Sequence, residues 1–218
     1  MEVIAPYIQR LALWAVPVLA AVVFHEVAHG YVAYSLGDET AARLGRLTLN
    51  PFAHIDLFGT VILPLMLLIG GAPFLFGYAK PVPVDFLNLR NPRRGMVLVA
   101  LAGPVMNLLL AGISAMALRG LLSLQVPDNE FLAGNLLVIA RMAQYSVLMN
   151  VGLAVFNLLP LPPLDGGRVA TGLLPPSPAL ALARLEPYGM LIIMALLMSG
   201  VLNHLLHPMT TLLLHVLL

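Results

Sequence analysis

The chain consists of long apolar runs separated by short polar connections. Four of these runs are long enough to cross a bilayer as helices, and they cover residues 8–36, 95–118, 133–159 and 188–206. This pattern predicts an all-α polytopic membrane protein with about four full transmembrane helices. We expect residues 1–218 to form a single domain.

A fifth apolar run, residues 57–79, is interrupted by glycines and prolines that do not suit an unbroken helix across the bilayer. We predict a re-entrant hairpin at this position. The overlapping stretch 71–84 contains prolines and alternating valines, a pattern that fits either a plain surface loop or a short edge strand. An edge strand could pair with the extended backbone of a substrate.

Composition agrees with the apolar pattern and excludes several kinds of chemistry. Hydrophobic residues make up 60% of the chain and charged residues 10%, and the mean hydropathy is +0.95, values far outside the range of soluble domains. Since the chain has no cysteine, it has no disulfide, no thiolate metal ligand and no cysteine nucleophile. The net charge of +1 and the scattered basic residues give no reason to expect nucleic-acid binding.

The basic residues predict how the chain is oriented. Eight of the eleven lie in segments 38–56, 80–94 and 165–187, and positive charge collects in short cytoplasmic loops. These eight are Arg43, Arg46, Lys80, Arg90, Arg93, Arg94, Arg168 and Arg184. We therefore expect these segments on the cytoplasmic side, the hairpin to begin and end there, and the N-terminus to lie outside.

The first apolar run contains the sequence His25-Glu26-Val-Ala-His29. Because His25 and His29 are four residues apart, they share one helix face, where two imidazoles can bind one cation. Glu26 beside them can move protons during hydrolysis. In a soluble helix the same pattern is often a solvated charged face, but unpaired ionisable groups in hydrocarbon are costly. We interpret the motif as an intramembrane zinc site with Glu26 as the general base.

A catalytic zinc usually has three protein ligands, so a third must come from elsewhere. Most acidic residues lie in loops expected to be solvated, whereas Asp165 lies in Asn157-Leu-Leu-Pro-Leu-Pro-Pro-Leu-Asp-Gly-Gly-Arg168. The three prolines exclude a regular helix, so this backbone must be buried in protein or line a watered cavity. The segment can therefore point Asp165 inward. A helix N-cap is the alternative for Asp165, and the two roles are compatible.

These motifs resemble those of the site-2 proteases, the intramembrane zinc metalloproteases of peptidase family M50, which cut transmembrane segments of other proteins. The resemblance covers nearly the whole chain. It rests on His25 to Gly30, Leu49-Asn-Pro-Phe-Ala-His-Ile-Asp56, Gly77-Tyr-Ala-Lys-Pro-Val-Pro83, Ala102-Gly-Pro-Val-Met-Asn107, and Asn157 to Gly167. It implies that His25, His29 and Asp165 bind one zinc ion per chain and that Glu26 is the general base. It also implies that three core helices carry the site near the cytoplasmic face.

Many members of this family attach a PDZ or a CBS domain, and 218 residues leave no room for either. The chain is most similar to the compact bacterial and archaeal type, so we expect substrate selection to reside in the membrane core or in partners. The resemblance implies a prokaryotic cell membrane as the location. It also implies a single-span membrane protein as the substrate, such as a membrane-tethered regulator of the anti-sigma-factor kind.

Three other polar residues are weaker candidates. Asn107 and Asn157 could each donate a hydrogen bond to the oxyanion that develops during peptide hydrolysis, or could join neighbouring helices instead. His54 could gate access or help hold substrate, although a capping or interfacial role fits it as well.

Two other functions remain open on these residues. A metal-ion or proton transporter would also carry intramembrane ionisable groups, but it often shows inverted repeats, and the later spans contain no second copy of the His25 motif. An inactive relative could bind transmembrane helices without cutting them. The intact His25, Glu26, His29 and Asp165 argue against that function.

Overall fold

The computed structural model describes residues 5–71, 77–125 and 129–218, with side chains from residue 13 onward. Within these residues the chain forms nine α-helices, a π-helical turn at Leu57–Ile62, and 3-10 turns at Pro51–His54 and Phe86–Asn88. The helices are α1 Ala5–Ser35, α2 Thr40–Arg43, α3 Leu63–Ile69, α4 Pro92–Leu122, α5 Glu130–Asn157, α6 Asp165–Leu173, α7 Pro176–Ala183, α8 Glu186–Met198 and α9 Val201–Leu217.

The centre of the fold is formed by α1, α4 and α5, which pack against one another. Each is long and apolar enough to cross a membrane, α1 from Leu13 to Ser35. Asparagine side chains cap the N-termini of α4 and α5. Asn91 accepts the Arg94 N–H at 3.2 Å, and Asn129 accepts the Phe131 N–H at 3.0 Å. The all-α polytopic prediction is confirmed, and the first three predicted spans correspond to these helices.

The fourth predicted span, 188–206, is not one continuous helix. The chain breaks between α8 and α9, where Gly200 adopts a left-handed conformation with φ of +74°. Glycine in this conformation commonly ends a helix. The apolar run 188–206 therefore continues past the end of α8. A fourth membrane crossing is present only if α7 and α8, which are bent by 67°, are counted as one span.

The predicted hairpin brings the two ends of its apolar run together. The Tyr78 N–H donates to Gly59 O at 3.0 Å, and the Thr60 hydroxyl donates to Tyr78 O at 2.9 Å. A side chain at position 59 would overlap the Tyr78 ring, so glycine permits this close approach. The helical part, residues 57–69, is about 20 Å long, which is shorter than the hydrocarbon core.

The edge strand that we considered for residues 71–84 is not formed in the described part, residues 77–84; residues 72–76 lie outside it. The N–H groups of residues 78, 80 and 82 donate to the chain itself, to Gly59 O, His54 O and the Glu26 carboxylate. Pro81 and Pro83, between and beyond them, have no N–H to offer a partner. One edge of this segment is therefore engaged within the chain, and Pro81 and Pro83 lack two of the donors that the other edge would need.

Small and branched residues pack the membrane core. Ala111 and Ala115 of α4 lie against Val147, Val151 and Val155 of α5, and leucines of α9 cover the cluster. The residues within each helix are four apart, so each set forms one stripe along its helix. Alanine on one helix lets the other approach closely, as is usual between membrane helices.

Asp38, in a loop expected to be solvated, is 0% exposed. Its Oδ2 accepts the Asp85 N–H at 2.8 Å, and its Oδ1 accepts the Asn88 amide and the Thr40 N–H, each at 3.1 Å. Burial alone would raise its pKa, but the hydrogen bonds outweigh burial and hold the pKa of Asp38 below its usual range. The carboxylate thus ties the end of α1 to the segment that leads into α4.

We expect Asp38→Asn to lower the free energy of unfolding by about 1–3 kcal/mol at neutral pH, because an amide nitrogen would face the Asp85 N–H. A carboxyl group whose pKa is lower in the folded state stabilises the fold above its unfolded pKa of about 4. That stabilisation is lost as the pH falls through the folded-state pKa. When unfolding is measured in detergent, the difference in the free energy of unfolding between wild type and variant should therefore become smaller in acid. A difference that stays constant with pH would contradict this role.

Candidate metal centre

The two histidines lie one turn apart on α1 and converge on one point. Their Nε2 atoms are 3.0 Å apart, and their rings meet edge to face with centroids 4.6 Å apart. Both side chains are buried. The four-residue spacing therefore brings the two rings together as the sequence predicts.

The other nitrogen of each ring is held by α4. His29 Nδ1 lies 2.7 Å from Val99 O, and since a carbonyl can only accept, this nitrogen carries the proton. His25 Nδ1 lies 2.6 Å from Oδ1 of Asn107. The Asn107 amide nitrogen donates to Ala21 O at 3.1 Å, which fixes its oxygen toward His25. In both neutral rings, therefore, Nε2 carries a lone pair suited to a metal.

Asp165 reaches the same point from the far end of the chain. It is the first residue of α6, and the N-cap position belongs to Leu164, so the carboxylate does not cap its own helix. Its Oδ2 lies 3.1 Å from His25 Nε2 and 3.3 Å from His29 Nε2. The proline-containing segment before it thus points the carboxylate inward.

The donor set fits a divalent cation. Ligand atoms of His25, His29 and Asp165 all lie within 4.8 Å of one another, and Asp165 Oδ2 is buried with no hydrogen-bond partner among the described residues. Two lone pairs and a carboxylate oxygen repel one another unless a positive charge lies between them. Two imidazoles and a carboxylate are also a usual ligand set for catalytic zinc.

Glycine at position 103 of α4 leaves room for this convergence. A Cβ there would overlap the Nε2 atoms of His25 and His29, the two atoms that would ligate the metal. The α4 backbone can therefore lie directly beside the ligand atoms only without a side chain at this position. Gly103 therefore makes space for the two imidazoles, in addition to any close packing of helices that small residues allow.

Glycines also permit the turn that carries Asp165. A Cβ at Gly166 would overlap the carbonyl oxygens of Leu158 and Leu159, and a Cβ at Gly167 would overlap Pro162. At the other end of α6, Arg93 of α4 donates from Nε to Gly172 O at 2.8 Å, and its Nη2 donates to Leu174 O. These contacts fix α6 at both ends and so position the carboxylate.

Glu26 is half-buried and faces a cavity of about 340 Å³. Its Oε2 accepts the Val82 N–H at 2.7 Å, a contact that orients the carboxylate. His25, His29 and Asp165 line the same cavity. The Glu26 carboxylate and the candidate metal ligands therefore share one space.

The three weaker candidates lie in different places. Asn107 is 0% exposed and donates its second amide hydrogen to Asn150 Oδ1 at 2.8 Å, so it supports His25 and has no hydrogen left for an oxyanion. Asn157 lines the cavity and donates one amide hydrogen to Leu153 O at 3.0 Å, and the other has no partner among the residues that the structure describes. His54 is buried outside this cavity and bonds to Thr48 O at 2.8 Å through Nε2.

Several of these supporting groups belong to none of the motifs of the sequence. Asn150 continues the contact from Asn107 to the carbonyl and hydroxyl of Ser146, and Ser146 meets the Ser114 hydroxyl at 2.8 Å. Polar residues four apart in an apolar helix were the available signal for Asn150 and Ser146. Val99 and Val82 act through their backbone, which no residue pattern indicates.

The profile of Peptidase family M50 matches residues 13–200, a range that contains all of the residues of the site. The chain belongs to this family. It is 38% identical over 194 residues to "Putative zinc metalloprotease YwhC" of Bacillus subtilis, which covers 89% of this chain and 84% of that protein. No solved structure matches the chain.

Mycobacterial relatives are more distant. "Putative zinc metalloprotease Rip2" of Mycobacterium tuberculosis is 29% identical over 197 residues, 90% of this chain and 69% of that protein. Its namesake in Mycolicibacterium smegmatis is 29% identical over 203 residues, 93% of this chain and 71% of that protein. With the family match and the apolar helices, these likenesses make the chain an integral membrane zinc metalloprotease.

We expect Gly103→Ala to weaken zinc binding by about 10- to 100-fold, because its Cβ displaces both imidazoles from the ligating position. Gly112→Ala on the same helix is a matched control, since a Cβ there has nothing within 4 Å. Zinc content and thermal unfolding would be measured for both variants. Wild-type zinc affinity in Gly103→Ala would show that the ligands do not occupy this position.

Proposed function

We propose that this zinc metalloprotease hydrolyses peptide bonds within or near the transmembrane segments of membrane-protein substrates. The observation that carries the proposal is the place of the converging ligands within a spanning helix. His25 and His29 lie about 18 Å and 24 Å along the stretch from Leu13 to Ser35. A hydrolytic site in this position can act on a peptide bond that lies inside the hydrocarbon layer or at its edge.

In this proposal His25, His29 and Asp165 hold the zinc ion. The bound ion supplies Lewis-acid chemistry, polarising a peptide carbonyl and making a water molecule a nucleophile near neutral pH. The chain's own work is to fix the ligands and move protons. Val99 and Asn107 keep the Nδ1 protons on the two rings, so each Nε2 stays free to ligate.

Glu26 is the proton-transfer group. The Val82 N–H holds Oε2, which leaves Oε1 to accept a proton from the attacking water and to deliver it to the leaving amine nitrogen. The second amide hydrogen of Asn157, at the cavity wall, is suited to the oxyanion. Asn107 supports the ring of His25 instead.

We further propose that the site faces the cytoplasmic side and that the N-terminus lies outside. Basic residues support this orientation, since Arg43 and Arg46 follow α1 while Arg90, Arg93 and Arg94 flank the start of α4. The Arg90 N–H donates to Leu36 O at 3.0 Å, so these basic segments lie at the same end of the helical core.

The proposed substrate is a single-span membrane protein such as a membrane-tethered regulator. A spanning helix hides its peptide bonds in backbone hydrogen bonds, so it must unwind locally before water can attack. The transporter alternative gains no support, because the described residues contain one group of three potential ligands and the relatives are named metalloproteases.

We expect Glu26→Gln to bind zinc like wild type and to abolish cleavage of a single-span substrate in liposomes. The amide keeps the shape of the side chain but cannot take up the proton. Zinc content, measured on the same sample, is the control that the site is loaded. Cleavage that persists in this variant would remove Glu26 from the proposed role, and zinc flux through wild type without cleavage would favour a transporter.

We expect Asp165→Ala to lower zinc occupancy strongly, since it removes one of three ligands and leaves two buried imidazoles. Glu130→Ala, an acidic position at the start of α5 outside the group, is the control for general loss of charge. Elemental analysis of the purified proteins measures the effect. If Asp165→Ala retains its zinc, a different residue must be the third ligand.

A further inference from the structure

A second cavity, of about 450 Å³, adjoins the metal-site cavity. Five residues line both spaces: Val22, Gly77, Tyr78, Ala79 and Leu153. The two cavities are therefore neighbours that share a wall formed by α1, α5 and the returning end of the hairpin. A chain that crosses the metal site has the second cavity beside it.

One face of α1 runs through both spaces. Trp14, Val18, Val22 and Glu26 are each four residues apart, so they lie in one row along the helix. The first three line the second cavity and the fourth lines the metal-site cavity. A peptide bond placed beside Glu26 thus has an apolar surface next to it, which extends about 18 Å along the helix to Trp14.

The lining of the second cavity indicates what it accepts. Among the described residues that line it there is no Asp, Glu, Lys or Arg, in contrast to the metal-site cavity. The Thr60 hydroxyl is occupied by Tyr78 O and the Asp56 N–H. His54, 2% exposed, donates from Nε2 to Thr48 O, and its Nδ1 has no hydrogen-bond partner in the described residues. An apolar group fits this surface, and a charged one does not.

We propose that this cavity is a specificity subsite that holds a large apolar side chain of the substrate residue next to the scissile bond. The subsite rests on the proposed function, since it needs a peptide bond at the metal site. Side chains on either side of a peptide bond in an extended chain point in opposite directions, so only one of the two neighbouring residues can enter. The occupant is a single side chain such as phenylalanine or leucine.

The test uses single-span substrates that differ only by Ala or Phe at each position flanking the mapped cut. We expect wild type to prefer Phe at one of the two positions by at least about tenfold in kcat/KM. Val18→Phe, which puts a ring into the cavity, should bring that ratio closer to one. Val16→Phe is the matched control, since Val16 is 55% exposed and lies outside the cavity lining, and it should keep the wild-type ratio.

Equal cleavage of the Ala and Phe substrates at both positions by wild type would overturn the subsite, as would an unchanged preference in Val18→Phe. Failure of the proposed function looks different, because no substrate would then be cut in a manner that depends on Glu26. That result would overturn both proposals together. Zinc content and unfolding, measured for each variant, show that the compared proteins are folded and loaded.

Discussion

The arrangement depends on three electron-pair donors brought together in an apolar interior. His25, His29 and Asp165 would repel one another without a cation, and their burial leaves little solvent to weaken that repulsion. The rest of the core is built to keep them in place. Val99 and Asn107 fix the rings, Gly103 gives them room, and both ends of α6 are held so that its first carboxylate points inward.

The same elements place the candidate metal centre beside the apolar cavity. The segment 77–82, at the returning end of the hairpin, contacts Gly59, His54 and Glu26, so its backbone orients the carboxylate that we propose transfers protons. Its side chains also form part of the wall between the metal-site cavity and the apolar one. Under the proposed function this division serves cleavage of apolar sequences, because the reacting peptide group would need polar partners while its neighbouring side chains would need apolar ones.

Much of this could be predicted from the chain because membrane proteins obey few and strong rules. Apolar runs predicted three of the spans, and the costly placement of His25 and Glu26 within one of them indicated a metal site. The break at Gly200 was not predicted, since hydropathy does not register the backbone conformation that ends a helix. The edge strand failed for a related reason, because hydrogen bonds to residues distant in sequence engage its N–H groups. Asp38 was expected in solvent, and its burial was missed because it depends on contacts with residues 85–88, which the sequence around Asp38 does not indicate.

The polar contacts between α1, α4 and α5 also set the register of these helices. Asn107 of α4 contacts His25 and donates to Ala21 O, both on α1, and it also donates to Asn150 of α5. Asn150 in turn donates to the Ser146 carbonyl on its own helix. Apolar surfaces alone would let one helix slide past another at a small cost in free energy, since lipid tails and leucine side chains are similarly apolar. Sliding by one turn, about 5.4 Å, would strand amide groups in hydrocarbon. These hydrogen bonds therefore fix the relative axial positions of α1, α4 and α5 to within one helical turn.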